Sequence, residues 1–442
     1  MTKAKAFLTV VVGSLIVFLF LTSFNFNTYA ESPEPIGAVF KLPPSTHPAL
    51  FNLFSDQGLK KITFGLTDQQ MEEIYLLTGG KVDFRNYYKI KIQPSSPLQL
   101  FSSLKEFKGF LYKDVPPPGE IDEESLGDPV FKDQWWVKAL RTKEAWEMAT
   151  GKGITVVDCD AGYYIEESDL ASNLLLEHAK DLADKENPSS ISDGYYTFHG
   201  TAVAAIIVGV LDSKGTNGIA YDSKLIPLQN YNYDYTMDDI DKEEATAACI
   251  LHALTIPNID IIVLENQTME GSSETFEGTR EAVTIALQAG ITIVSAGGNY
   301  SRELLTEKEH DTGSIIVGAL VQNGSKASFS NFGDRITTAA YGERVYTLFG
   351  PNGRFGNFSG TSSATPQVTG AVALMLEVNP KLTPQQIRDI LISTRVTTEG
   401  NSAVGGKLDI AAAVKAANEL EPDVETRSEM DLLHQHLLAI LR

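Results

Sequence analysis

Basic residues are scarce in this chain. Its 36 lysines and arginines face 57 aspartates and glutamates, for a formal net charge of −21 over 442 residues. Binding nucleic acid or an anionic membrane by charge needs a basic footprint, so both are excluded as main partners. Cysteine is scarcer still. There are two, Cys159 and Cys249, and no Cys-x-x-Cys pair for a metal or redox couple. Cys159 lies in an apolar strand-like run and Cys249 in a helix-like one. Nothing in their spacing brings them together, so two buried free thiols are expected rather than a disulfide. No internal repeat recurs, which excludes a solenoid or propeller. Beyond the N-terminus no apolar run is long enough to span a bilayer.

What remains is the composition of a folded globular chain, 43% hydrophobic and 21% charged, with length for two or three domains. Lys3 and Lys5 precede an apolar run from Ala6 to about Leu21, followed by small residues at Thr28 and Ala30. That is the pattern of a secretory signal, so residues 1–30 are expected to direct export and be cleaved. Left uncleaved, the same run is long enough for a membrane anchor. Either way the remainder is exported, to the medium, the periplasm or the cell surface.

Residues 31–114 alternate strand and helix as a small α+β domain. The strands are "KKITFGL", "YYKIKIQP" and "GFLYKD". The helices are "TDQQMEEIYLLTGG", capped by Thr67 or Asp68, and "SPLQLFSSLKEF". Residues 115–127, within "VPPPGEIDEESLGDP", form a stiff, exposed Pro/acidic linker. Residues 128–420 alternate short apolar strands with amphipathic helices. The strands are "ITVVDCD", "KLIPLQN", "DIIVLEN", "ITIVSAG" and "SIIVGAL". Strands buried on both faces and separated by helices predict an α/β fold, a mostly parallel central sheet with helices on both faces. Residues 421–442 read as an acidic hinge and one helix, in which His434 and His436 belong to packing rather than to a metal site.

The chemistry gathers at junctions. In "ITVVDCDAG", Asp158 and Asp160 are two residues apart in a strand and so project from one face. In "FHGTAVA", His199 precedes Gly200 and a small-residue helix. In "SGTSSATP", Ser362 opens another helix. A serine hydroxyl becomes a nucleophile when an imidazole takes its proton, and the imidazole needs a carboxylate to hold its tautomer. A serine at a helix N-terminus also lies among free N–H groups and the positive end of the macrodipole. "IVSAGGN" ends a strand at Gly298-Asn299, where a carboxamide can donate to a tetrahedral oxyanion.

These four segments resemble the motifs of the subtilisin-like (S8) serine peptidases, usually Asp-Thr-Gly, His-Gly-Thr-His, Ala-Gly-Asn and Gly-Thr-Ser-Met-Ala-Ser/Thr-Pro. Here they read Asp160-Ala161-Gly162, His199-Gly200-Thr201-Ala202, Gly297-Gly298-Asn299 and Gly360-Thr361-Ser362-Ser363-Ala364-Thr365-Pro366. "SDL", "NGIA" and "ASFSNFG" agree in the flanks. The resemblance implies an exported serine endopeptidase with catalytic Asp160, His199 and Ser362 and an oxyanion hole at Asn299. It further implies protein or peptide substrates, no cofactor for catalysis, and an inhibitory propeptide at 31–114, which makes the chain a zymogen. Structural calcium, near Asp128, Asp169 and Asp212, is a weaker implication.

The departures are Ala161, Ala202, Ser363 and "VLENQ" (263–267), which stands where the family has a Ser-Leu-Gly substrate strand. Ala161 and "VLENQ" support one rival, an inactive scaffold that binds a partner. A second rival, a sedolisin-type acid peptidase, is opposed by the intact His-Gly-Thr. Sequons at Asn266, Asn299, Asn323 and Asn357 are read as chance, and Tyr300 as a residue narrowing the P1 pocket. Asp160 is preferred over Asp158 as the partner of His199. It ends its strand, precedes a tight turn, and stands at the family's spacing from "DL". Asp158 is then a buried carboxyl, protonated or hydrogen-bonded.

Overall fold

The computed structural model describes residues 36–41, 60–92, 109–111, 122–126, 134–166, 168–183, 191, 197–211, 215–231, 239–268, 271–304, 311–350 and 354–442. The expected signal and the expected helix at 96–107 lie outside these residues.

An antiparallel four-stranded sheet opens the chain, with β1 (Ile36–Lys41), β2 (Lys60–Lys61), β3 (Tyr87–Ile92) and β4 (Gly109–Leu111) in the order β2-β3-β1-β4. "KKITFGL" was expected to be a full strand. It stops after β2, and Phe64 and Gly65 then take left-handed φ values of 52° and 78°, which turn the chain away. Helix Asp68–Leu77 starts at Thr67, whose side chain and that of Gln70 form a reciprocal capping box. The linker is also not wholly exposed coil. Its acidic half forms β5 (Asp122–Leu126), an antiparallel partner of β14 (Arg354–Phe358), which pairs in turn with β13 (Val345–Gly350).

The main sheet has seven strands, all parallel. They are β6 (Thr155–Asp160), β7 (Lys180–Asp181), β8 (Lys224–Gln229), β9 (Ile261–Leu264), β10 (Thr292–Ala296), β11 (Ile315–Leu320) and β12 (Thr338–Tyr341). The order is β12-β11-β10-β9-β6-β8-β7. The chain leaves β6 toward β8 and β7, then crosses back to β9. The carboxyl end of β6 is therefore a topological switch point, where parallel sheets build their sites.

Alternation along β6 divides the molecule. Val156 joins the core on one face, with helices Thr197–Val208 and Thr361–Val378. These two helices are not amphipathic as expected. Every residue from Thr361 to Leu376 is buried, and so are all of Thr197–Val208 except Phe198. Their small side chains let them lie wholly inside. Val157 and Cys159 face the other way, into a second core with helices Asp239–Ala253 and Glu277–Gln288. There Cys159 is bonded to Cys249, with Cα atoms 6.4 Å apart. The expected free thiols are thus a disulfide. The helix after β8 returns across the second face and sets Cys249 opposite Cys159, a meeting that sequence spacing does not encode.

The N-terminal unit packs on this second face. Ile62, Phe64, Met71, Ile74, Val82, Phe84 and Tyr87 join its core, and the Phe64 ring lies against Gly278, where a Cβ would come within 2.7 Å. Lys89 bridges Asp241 and Glu244, both at 2.8 Å, and Lys41 pairs with Glu281. Helix Val424–Leu441 closes the same face through Leu437 and Leu441. Gln70 donates to the free carbonyls of Ile440 and Leu441. In that helix His434 is buried and His436 exposed, so the two do not share a site. Among the described residues, no helix is long and apolar enough to cross a membrane.

Candidate active site

Asp160 and His199 meet in the core. Asp160 is the last residue of β6, and His199 lies in the first turn of its helix rather than just before it. Nδ1 of His199 is 2.6 and 2.9 Å from the two carboxylate oxygens, and both side chains are almost fully buried. Asp160 Oδ1 also accepts from the Ala161 N–H. Phe358 stacks edge-on against the imidazole at 5.2 Å and fixes its plane. Nε2 is buried without a hydrogen-bond partner. An imidazole held this way has Nδ1–H toward the carboxylate and a basic Nε2 left over.

Asp158 points to the same face and meets none of this. It is fully buried, and neither of its carboxyl oxygens has a hydrogen-bond partner. Burial, then the nearby Asp160 charge, raises its pKa well above the usual carboxyl range, so the group holds a proton. Tyr163 donates to the Asp158 main-chain carbonyl at 2.7 Å and closes the pocket beneath.

Ser362 is the second residue of helix Thr361–Val378, whose N-cap is Gly360. Gly360 has a φ of 126°, and a Cβ there would stand 3.4 Å from Asn299 Nδ2. At this position in the first turn, the Ser362 N–H has no partner within the helix. Asn299 follows Gly298, whose φ of 98° turns the chain out of β10. The Asn299 amide oxygen accepts from Thr361 N–H at 2.8 Å and from Thr361 Oγ1 at 3.0 Å. That fixes the amide's orientation and presents Nδ2 beside the N-terminus of the serine helix. The Asn299 N–H donates to Gln267 Oε1 at 2.6 Å.

Three participants were not read from the sequence: Phe358, Gln267 and Glu265. In the sequence "VLENQ" stands out only as a departure from the family pattern. In the structure Gln267 steadies Asn299, and Glu265 is a buried carboxyl that interacts with the Ser362 side chain, though outside hydrogen-bond geometry. Of the weaker calcium set, Asp169 accepts from Thr216 N–H and Oγ1, while Asp128 and Asp212 lie outside the described residues. Among the sequons, Asn266 donates to Thr246 and Asn357 is buried, so neither side chain stands free for a glycan.

A serine at a helix N-terminus, an imidazole–carboxylate pair and a carboxamide beside that helix end are the kinds of groups an acyl-transfer centre uses. Comparison with known proteins agrees. The chain is 26% identical over 329 residues to an extracellular protease of Xanthomonas campestris pv. campestris, covering 66% of this chain and 57% of that protein. It is 29% identical over 370 residues to subtilisin E of Bacillus subtilis, covering 81% and 89%. A solved protease of Pseudoalteromonas arctica PAMC 21717 superposes with a TM-score of 0.57 at 26% identity, over 66% of this chain and 98% of that one. The chain spans about half the length of several of the relatives it matches, 57%, 55% and 44% in three of them. Residues 151–417, more than half of the chain, match the model of the subtilase family (peptidase S8), and the chain belongs to that family.

Proposed function

We propose that the chain is an exported serine endopeptidase made as a zymogen. Ser362 Oγ attacks the scissile carbonyl while its proton passes to His199 Nε2. His199 then gives that proton to the leaving amine, and water enters by the reverse route to release the acyl group. Asp160 holds the imidazole and stabilises its charged form. Asn299 Nδ2 and the Ser362 N–H receive the oxyanion. Side chains and backbone N–H groups suffice, and the reading needs no cofactor. The observation that carries it is the 2.6 Å contact between Asp160 and His199, in a chain that also sets a serine in the first turn of a buried helix. Bound substrate turns the Ser362 hydroxyl to Nε2, since catalytic hydrogen bonds commonly tighten only in the complex.

Substrates are protein or peptide segments, and secretion follows from the signal pattern at 1–30, in keeping with relatives named extracellular proteases. The unit at 31–114 is read as the propeptide, released by cleavage in or near the linker. A fluorophosphonate probe should label the secreted wild type at Ser362 and leave Ser362→Ala unlabelled. N-terminal sequencing should find a new terminus in the linker of the wild type only. A folded wild type that takes no label overturns the peptidase reading. A fully active protein that begins near Glu31 overturns the zymogen.

A further inference from the structure

Glu265 sits one residue past β9. The register of β6 on β9 pairs Cys159 with Leu264, so Glu265 comes level with Asp160 on the neighbouring strand. It is 5% exposed, and neither carboxyl oxygen has a hydrogen-bond partner. Asp160 and Asp158 of β6 and the Ser362 hydroxyl act on it electrostatically, and it acts in turn on Tyr163 in the turn beyond β6. The charged groups that act on it are thus aspartates. Carboxyls buried near one another do not all ionise. Asp160 alone has a hydrogen-bond partner in His199, while the oxygens of Asp158 and Glu265 have none, and burial favours the protonated form of both. Burial first, and then Asp160 and Asp158, hold Glu265 well above the usual carboxyl range, against a smaller lowering effect of the Ser362 hydroxyl.

We propose that Glu265 is a positioning residue for Ser362 that works as a neutral carboxylic acid, its O–H directed at Ser362 Oγ, and that its ionisation switches the peptidase off. With the Glu265 proton in place, Oγ accepts from Glu265 and its own hydroxyl proton is left for His199 Nε2. During acylation that hydroxyl proton moves to Nε2 as the Oγ–carbon bond forms, and Glu265 keeps its own. When solvent base removes the Glu265 proton, the carboxylate becomes an acceptor. It draws the Ser362 hydroxyl away from Nε2, and its charge opposes the tetrahedral oxyanion.

The proposal rests on Ser362 being the nucleophile. The test is kcat and kcat/KM against pH on a blocked, uncharged peptide, for wild type, Glu265→Gln, Glu265→Ala and Glu265→Ser. Wild type should show an alkaline limb from Glu265. Glu265→Gln keeps a donor and cannot ionise, so its alkaline limb should vanish while kcat near neutrality stays within about threefold. Glu265→Ala should lose roughly 10²-fold in kcat with KM little changed, the low end for one acid–base group. Glu265→Ser also lacks the ionisable group and stands in if Gln does not fold. An absent wild-type limb, or one unmoved in the folded variants, overturns the assignment, as does a folded Glu265→Gln that is inactive at every pH. Wild type that neither cleaves nor takes the fluorophosphonate overturns the nucleophile reading and this one with it. Cleavage and labelling with an unmoved limb overturn this one alone.

Discussion

On one face of the seven-stranded sheet, Asp158, Asp160 and Glu265 are buried near one another at the ends of β6 and β9, and of the three only Asp160 is hydrogen-bonded to His199. On the other, Asp241, Glu244 and Glu281 meet Lys89 and Lys41 of the N-terminal unit. The first face is closed by helices of small residues and admits no compensating cation among its described neighbours. Its surplus carboxyls must keep protons, and a carboxyl that keeps its proton can donate to a nucleophile. The second face pairs its acids with lysines and ties its strand to its helix by Cys159–Cys249. Charge on that face serves adhesion. The same residue types therefore do opposite work, according to whether a cation is within reach.

Substitutions can break this contrast. The largest effect is expected from Ser362→Ala, which should remove roughly 10⁶-fold of kcat with the fold retained. Asp160→Asn should cost about 10⁴-fold by leaving His199 in the wrong tautomer. Asp158→Asn should keep most activity and shift mainly the unfolding midpoint. Reversed kinetics in these two asparagine variants would exchange the roles of the aspartates.

On the second face, converting both cysteines to serine should cost on the order of 4–5 kcal/mol in urea unfolding, given their separation of 90 residues. Turnover should change little, because the bridge points away from Asp160. A large loss of kcat at unchanged stability would mean that the two faces are not separable. Lys89→Ala removes two ion pairs and should loosen the N-terminal unit by about 1–3 kcal/mol, read as faster hydrogen exchange in β3.

The smallest effect concerns Glu281, which burial pushes up to about 7 despite Lys41. A carboxyl raised in the folded state binds more protons there than when unfolded. Its stabilising contribution is complete below pH 4.5 and is lost as pH rises through about 7. Glu281→Gln should flatten stability across that window. An unchanged pH dependence would show that Lys41 fully offsets the burial.

Much of this was legible in the sequence. Five sheet strands were readable because burial on both faces forces continuous apolar runs. The strand-end positions of Asp160 and Asn299 followed from where those runs stop. β12 was missed because Thr338–Tyr341 is built of small and polar residues, and β7 because it has two. The disulfide required knowing which helix covers which face. Glu265 required the register of β9 on β6, which no local pattern carries. The left-handed turn at Phe64 cut short a strand that its composition favoured.

The hydrogen bond from Gln70 to Ile440 joins residues 370 apart in sequence. Contacts of that span are made late, since the loop they close must be ordered before they repay it. The strands and helices that place Asp160, His199, Asn299 and Ser362 lie between residues 155 and 378 and can assemble among themselves. The second core draws on Ile62 at one end and Leu441 at the other. In a refolding experiment, burial around the imidazole should thus precede closure of the opposite face, and the slow step should be the arrival of the C-terminal helix.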